Sequence, residues 1–437
     1  MIKKLLASVI FFLIIFTLIS VAADLYYHHR LMHPKPEDKG WTCRCDFRVY
    51  WTAGYKLINY AFPALAAQYP EDPEYREKLE EYVGPNKARV YDTSEPFYHF
   101  RYSPVTAFFM VPFALITYPA NALVVWFILL NIALTAALFL LTRWISLDFN
   151  LSAGARSIVL WSAFMAALRF YLMSMAVGQS DVIVALFFVI FLAAYVGENE
   201  AAGGIMFALI LLFKPFFLPA LLYFLLAGKK KLVFSALAGF VVLSFAPAVV
   251  IGFDKAWMLL KDWVGILNFS VPSQILNYKN QSITYFIGKH LMNFSAVKSS
   301  VSAEQLFFIL GAAFTVLAYS VLLYFKKAHM AANDRSFRYL EVSLVIIITL
   351  LFSPLVWVAH FIYLIVPGAV AAVFVMKSWD RGRQYVALAL FFGFSVIAGT
   401  DITKFVPVLS KMHFANIAVG AFFLAYALVS SYSRRKL

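Results

Sequence analysis

Apolar residues in this chain fall in long unbroken runs. From Leu5 to Ala23, from Pro119 to Leu141 and from Leu232 to Ile251 almost every position is aliphatic or aromatic. Runs of this kind approach or exceed the roughly 20 residues that a helix needs to cross a bilayer. Period-two alternation is absent, so helices are the expected spanning element and not the strands of a barrel. Counting the remaining runs between polar punctuation predicts about twelve spanning helices.

The charges between the runs orient them, because Lys and Arg collect on the cytoplasmic side. Lys3 and Lys4 place the N-terminus inside, and residues 1–24 read as a retained first helix whose apolar stretch is too long for a cleaved signal. Residues 25–103 then form a large extracytoplasmic loop. It carries a charged insert over residues 70–86, in which Tyr75 to Val83 could form a short surface helix. Ser103 to Ile116 is apolar but short, with Pro112 inside it, and is expected at the surface or re-entering. Residues 104–437 hold the remaining helices, with a second outer loop near 252–291. Ala201 to Ala227 is interrupted by Lys214-Pro215 and Pro219. A single helix there would put two cytoplasmic loops on opposite sides, so two short helices meeting at Lys214 are expected. Arg434-Arg435-Lys436 brings the C-terminus back inside.

Composition agrees with this reading, since 62% of the chain is hydrophobic and only 14% charged, against roughly 25% charged in a soluble domain. The net charge of +14 follows from basic helix ends. No basic stripe with interleaved aromatics suggests nucleic acid. Cys43 and Cys45 in one C-x-C offer neither a disulfide framework nor a zinc pattern and read as free thiols. No phosphate-binding glycine loop, dinucleotide fingerprint or metalloprotease motif is present, and neither a metal nor a cofactor is expected.

Ionisable groups at membrane depth usually have a function, and here they gather on one side. Asp46, His99, Arg101, Gln179, Asp181, Lys214, Asn280, Gln281, His360 and Asp401 all fall near outer helix ends or in outer loops, while the inner face offers only helix-flanking Lys and Arg. A reaction centre on the outside would not meet cytoplasmic nucleotide sugars, and a lipid-linked substrate is the natural choice. Asp46 is either a solvated carboxylate paired with Arg44 or Arg48, or a general base able to take a proton from a hydroxyl. Arg101 either anchors the interface or ligates phosphate, which its planar guanidinium suits. Lys214 either snorkels to headgroups or aims its ammonium at a lipid phosphate. His360 is either a packing residue or a hydrogen-bonding partner of phosphate or sugar. Gln179-Ser180-Asp181 and Asn280-Gln281-Ser282 either cap the helices that follow or offer the mixed donors and acceptors that sugar hydroxyls require.

At these residues the chain resembles the polyprenol-phosphate-mannose-dependent mannosyltransferases of glycosyltransferase family 87, within the GT-C class of membrane glycosyltransferases. The likeness is carried by Asp46-Phe47-Arg48-Val49-Tyr50-Trp51, Phe100-Arg101-Tyr102-Ser103-Pro104, Gly178-Gln179-Ser180-Asp181, Phe213-Lys214-Pro215, Asn280-Gln281-Ser282 and Ser353-Pro354-Leu355-Val356-Trp357-Val358-Ala359-His360, in that order. The family often has two adjacent histidines where this chain has Ala359-His360. The resemblance implies an all-α GT-C-type bundle in a bacterial-type plasma membrane, a polyprenyl-phosphate-linked sugar as donor, a lipid or glycan acceptor, and no obligatory metal. It also implies that Asp46 is the essential aspartate and base of an inverting displacement. Lys214, Arg101 and His360 would stabilise the leaving phosphate, and Tyr50, Trp51 and Tyr102 would stack on the sugar. A lipid-linked-sugar flippase or multi-helix transporter is the competing class. It accounts for the helices, but not for polar groups confined to one side.

Overall fold

The computed structural model describes residues 2–32, 46–67, 83, 89–91, 100–116, 118–275, 280–283, 285, 301–329, 334–378 and 415–435. Among them every regular element is helical. In chain order these are α1 (Ile2–Met32), α2 (Asp46–Ala61), α3 (Pro63–Ala67), α4 (Pro104–Phe109), α5 (Val111–Ala114), α6 (Pro119–Asp148), α7 (Ala153–Val177), α8 (Asp181–Val196) and α9 (Glu200–Phe213). A 3-10 turn over Pro215–Phe217 leads into α10 (Leu218–Leu226), α11 (Lys230–Ser244), α12 (Ala248–Ile251), α13 (Phe253–Ile275), α14 (Val301–His329) and α15 (Arg335–Phe352). A second 3-10 segment, Val358–Leu364, precedes α16 (Ile365–Ser378) and α17 (Ala415–Arg435).

Six stretches among the described residues are long and apolar enough to cross a membrane: Val9–His29, Pro119–Asp148, Ala153–Val177, Lys230–Ile251, Ile309–Lys327 and Val358–Ser378. Three shorter apolar helices accompany them, Asp181–Val196, Glu200–Phe213 and Pro215–Leu226. The protein is therefore a helical membrane protein. The cysteines Cys43 and Cys45, His99, Asp401, the rest of 379–414 and nearly all of the charged insert lie outside the described residues. α16 is buried almost throughout and forms the centre, with α7, α15 and α17 packed around it. α9 lies close against α8 and α11. Gly204 makes that closeness possible, since a Cβ there would stand 2.4 Å from the Leu232 carbonyl oxygen. Small residues at such contacts let membrane helices approach.

The stretch expected as a second outer loop holds a helix in its first half, because α13 carries a stripe of buried residues, Ala256, Leu259, Trp263 and Ile266, at near-helical spacing. Four charges among residues 254–262 lower its hydropathy, which is why the stretch reads as a loop. α13 does not cross the bundle. α11 starts where Lys229 pairs with Glu200 (3.1 Å), and α14 ends with Lys326 on Glu341 (2.7 Å). Gln281, which follows α13, donates at the opposite end to the Val356 carbonyl (2.7 Å).

The end near Lys229 also holds more than flanking bases. Glu341 is 1% exposed and accepts from the hydroxyls of Tyr195 (2.6 Å) and Tyr223 (2.7 Å) as well as from Lys326. Its partners come from α8, α10 and α14, so one carboxylate ties four helices. Arg338, on the same helix as Glu341, donates to the Val196 carbonyl (2.5 Å) at the C-terminus of α8 and pairs with Glu198. This supplies a cation to a helix end that has no basic residue nearby in sequence. Glu341→Ala would leave an ammonium and two phenols without their acceptor, and is expected to cost about 3–5 kcal/mol. Thermal unfolding in detergent measures this, and an unshifted melting temperature would show that the cluster ties nothing together.

Candidate active site

The first turn of α2 places Asp46, where a carboxylate complements the helix dipole. Tyr50 follows one turn later on the same face. The neighbouring face packs on α4 and α5 at close range, since a Cβ on Gly54 would meet the Met110 carbonyl oxygen at 2.7 Å. Trp51 belongs to that packing face. Its indole donates to the Phe113 carbonyl (3.1 Å) and stacks on Tyr55 at 5.5 Å. Trp51, expected to stack on the sugar, is 1% exposed and committed to this packing in the chain by itself.

The turn between α7 and α8 brings the next groups. Gly178 ends α7 with φ +68, and a Cβ there would overlap Phe47 Cβ at 2.4 Å. The Gly178 carbonyl also accepts from the Trp126 indole (3.1 Å). Held so, Gln179 points its amide nitrogen at the Asp46 carboxylate, while its amide oxygen accepts from Lys214 (3.2 Å). The phenols of Tyr50 and Tyr102 reach the same oxygen at 3.5 Å. A carboxylate on one side and an ammonium on the other leave only this amide orientation. Gly178→Ala is expected to lower both the melting temperature and turnover, with about 1–2 kcal/mol lost to the left-handed backbone alone. Gly154→Ala, where nothing lies within 4 Å, is the control and should be neutral or stabilising. Equal behaviour of the two variants would count against this account of the turn.

Lys214 sits at the break between α9 and the 3-10 turn, with φ −139 and ψ 77. Pro215 enforces that break, since the residue before proline is pushed out of the helical region and proline has no N–H to offer. The side chain therefore turns inward and is 2% exposed. Its ammonium pairs with Asp181 Oδ1 at 2.9 Å and lies 5.2 Å from the centre of the Tyr102 ring. Asp181 is 0% exposed. Its Oδ1 also accepts from the Tyr363 hydroxyl (2.5 Å), and its Oδ2 has no hydrogen-bond partner among the described residues.

His360 completes the cluster, stacked on Phe216 at 4.8 Å. The backbone N–H of Trp357 donates to His360 Nδ1 (3.1 Å), which in the neutral ring leaves the hydrogen on Nε2. Nε2 lies 3.4 Å from Lys214 Nζ and 3.9 Å from Asp181 Oδ1. An N–H cannot accept from an ammonium. Asp181 and Gln179 take two of the ammonium's three hydrogens, so the third stands beside the imidazole N–H as a pair of adjacent donors. An anionic oxygen is what such a pair fits.

Arg101 lies beside this group in extended chain before α4. Trp263 of α13 holds its carbonyl (2.9 Å), and its Nε has no partner among the described residues. Burial lowers the affinity of its guanidinium for the proton, opposed by the nearby Tyr102 and the Asp46 carboxylate. Burial raises the phenol of Tyr102 above its ordinary range, with Lys214 pulling it back, and raises Tyr50 as well. Both therefore remain neutral hydrogen-bonding groups.

Asn280 and Gln281, expected as sugar ligands, bond the turn that carries His360. The Asn280 amide donates to the Pro354 carbonyl (2.7 Å) and accepts from the N–H of Val356 (3.0 Å) and of Ser282 (3.1 Å). Ser282 accepts from the Tyr285 N–H (3.1 Å), a capping bond. The segment thus docks the Ser353–Trp357 turn that carries His360, with Asn280 bridging the backbone on both sides. Tyr363 is a site residue that motif reading misses, whereas Ser180, which bonds Tyr50 at 3.1 Å, belongs to the Gln179-Ser180-Asp181 motif. A 3-10 segment aligns residues three apart, so His360 and Tyr363 share a side. That segment has no sequence signature of its own.

The model of glycosyltransferase family 87 matches residues 100–354, more than half of the chain. The match includes Arg101, Tyr102, Gln179, Asp181 and Lys214, and leaves Asp46 and His360 outside it. No curated protein matches the chain.

Proposed function

Starting from the fact that the chain belongs to glycosyltransferase family 87, we propose that it moves a sugar, with mannose the first candidate, from a polyprenyl-phosphate donor to a lipid or glycan acceptor. The reaction takes place on the extracytoplasmic side of the membrane. The observation that carries this reading is the chain of contacts from Asp46 through Gln179 to Lys214 and His360, which sets a base and a pair of anion-seeking donors on two sides of one buried amide.

Asp46 takes the proton of the acceptor hydroxyl as that oxygen forms its bond to the anomeric carbon. The bond from that carbon to the phosphate oxygen breaks on the opposite face, which inverts the configuration. The electron pair leaves with the polyprenyl phosphate, whose growing charge meets the free hydrogens of Lys214 and His360 Nε2, with Arg101 close by. Donors aimed in advance at a developing charge lower the barrier most where water is excluded. Tyr102, half-buried and backed by the Tyr50 ring 4.8 Å away, offers the sugar an aromatic face.

α13 supports a location at the membrane boundary. Beside its buried stripe it has an exposed apolar face, with Phe253, Trp257 and Val264, and an exposed charged face, with Asp254, Lys261 and Asp262. A helix with one face for protein, one for lipid and one for water lies in the interface plane, and Trp263 ties it to Arg101. Lys214, Asp181 and His360 sit at the same end of the bundle.

The test is incubation of the purified protein with a panel of polyprenyl-phosphate sugars and mass analysis of the products. One sugar should yield stoichiometric polyprenyl phosphate. Transfer from a nucleotide sugar in the absence of any lipid-linked sugar would refute the donor assignment.

A further inference from the structure

At the end of the bundle opposite Asp46, α1, α6 and α7 line an open-sided cavity of about 300 Å³, with Phe139 and Leu160 in its apolar wall. Its polar lining includes Thr142, Arg143 and Ser146 of α6 and Arg156 of α7. Thr142 is 8% and Ser146 3% exposed, and neither hydroxyl has a hydrogen-bond partner among the described residues. A hydroxyl inside a helix ordinarily bonds the carbonyl one turn back, as Thr135 of α6 does to Asn131 at 2.8 Å. Seven and eleven residues further along the same helix this bond is not made, and both unmade bonds face one cavity.

Two guanidinium groups border the same space. Arg143 is on the last turns of α6, and Arg156 is near the N-terminus of α7. The Leu151 carbonyl accepts from Arg156 Nε (3.0 Å) and steadies that group. The start of α7, capped by Ser152 (3.3 Å), adds the positive end of a helix dipole. The cavity borders the lipid-facing side of the protein, where Ile10, Phe11 and Ile14 of α1 and Leu147 of α6 are exposed.

We infer that this cavity binds the phosphate of an anionic phospholipid, held by Arg143 and Arg156 and by the hydroxyls of Thr142 and Ser146, with its acyl chains along α1 and α6. Two cations and two unused hydroxyl donors suit a phosphodiester, and the apolar wall with its exposed flanks suits a lipid better than a free ion. Basic pockets between membrane helices are a recognised setting for such headgroups. The site uses no residue of the transfer chemistry, so it stands or falls independently of the proposed reaction.

Native mass spectrometry of the purified full-length protein tests it, with phosphatidylglycerol and phosphatidylcholine supplied at equal concentration. One phosphatidylglycerol should be retained at least tenfold over phosphatidylcholine. The double variant Arg143→Ala/Arg156→Ala, altered only at exposed positions, should lose that preference. Thr142→Val/Ser146→Ala changes no charge and should also weaken retention several-fold. If that second variant retains lipid like the wild type, the attraction is diffuse and the built pocket is refuted. Displacement of the lipid by inorganic phosphate at equal concentration would make this a free-anion site and overturn the lipid assignment. Equal retention of the two lipids would overturn it as well.

Discussion

Asp46→Asn is expected to leave the protein folded and able to bind donor, while turnover falls by about 10²–10⁴-fold, the usual worth of a positioned acid or base. Asparagine has the shape of aspartate and keeps an oxygen for the Gln179 amide, so the contact from α2 to the α7–α8 turn survives the change. What disappears is the capacity to take a proton. The measurement is donor retention beside single-turnover sugar transfer, at several pH values. Loss of binding together with turnover would point to a structural role, and wild-type turnover would remove Asp46 from the chemistry. The variant has particular weight because Asp46 precedes the part of the chain that the family match covers.

Lys214 should give the second large effect, but a single substitution confounds two causes. Lys214→Ala leaves Asp181, at 0% exposed, without the cation 2.9 Å away. Breaking a buried pair from one side costs about 3–5 kcal/mol. The double variant Lys214→Met/Asp181→Asn removes both charges and keeps an acceptor for Tyr363, so most of that loss should be recovered. Transfer should not be recovered, because the leaving phosphate has lost a donor worth about 10²–10³-fold. A stable double variant with normal turnover would reduce Lys214 to an ion-pair partner of Asp181.

Asp181 shows where motif reading meets its limit. From sequence it is a polar residue at a helix start, available for sugar hydroxyls, but in the fold one of its oxygens is taken by Lys214 and Tyr363. Its partners lie 33 and 182 residues further along the chain, and no local pattern encodes that meeting. Trp51 and Asn280 make the same point from the other side. Their residue types suit a sugar site, yet the indole bonds the Phe113 carbonyl and the amide bridges Pro354 and Val356. Glu341 was invisible for a related reason. A single acid in an apolar helix has no signature until tyrosines from α8 and α10 and a lysine from α14 converge on it.

What the sequence determined by itself was whatever depends on neighbours in the chain. Unbroken apolar runs demanded membrane helices, Lys214-Pro215 demanded a broken one, and ordered motifs pointed to the family that the match to residues 100–354 establishes. That family sets the transporter reading aside. Tertiary structure alone decided which polar groups meet: Gln179 between Asp46 and Lys214, Tyr363 on Asp181, His360 beside Lys214, Trp51 and Asn280 turned to packing and bridging. The physical reason is burial in a medium of low polarity. There every donor and acceptor must find a partner, and in a bundle the partner comes from whichever helix lies alongside.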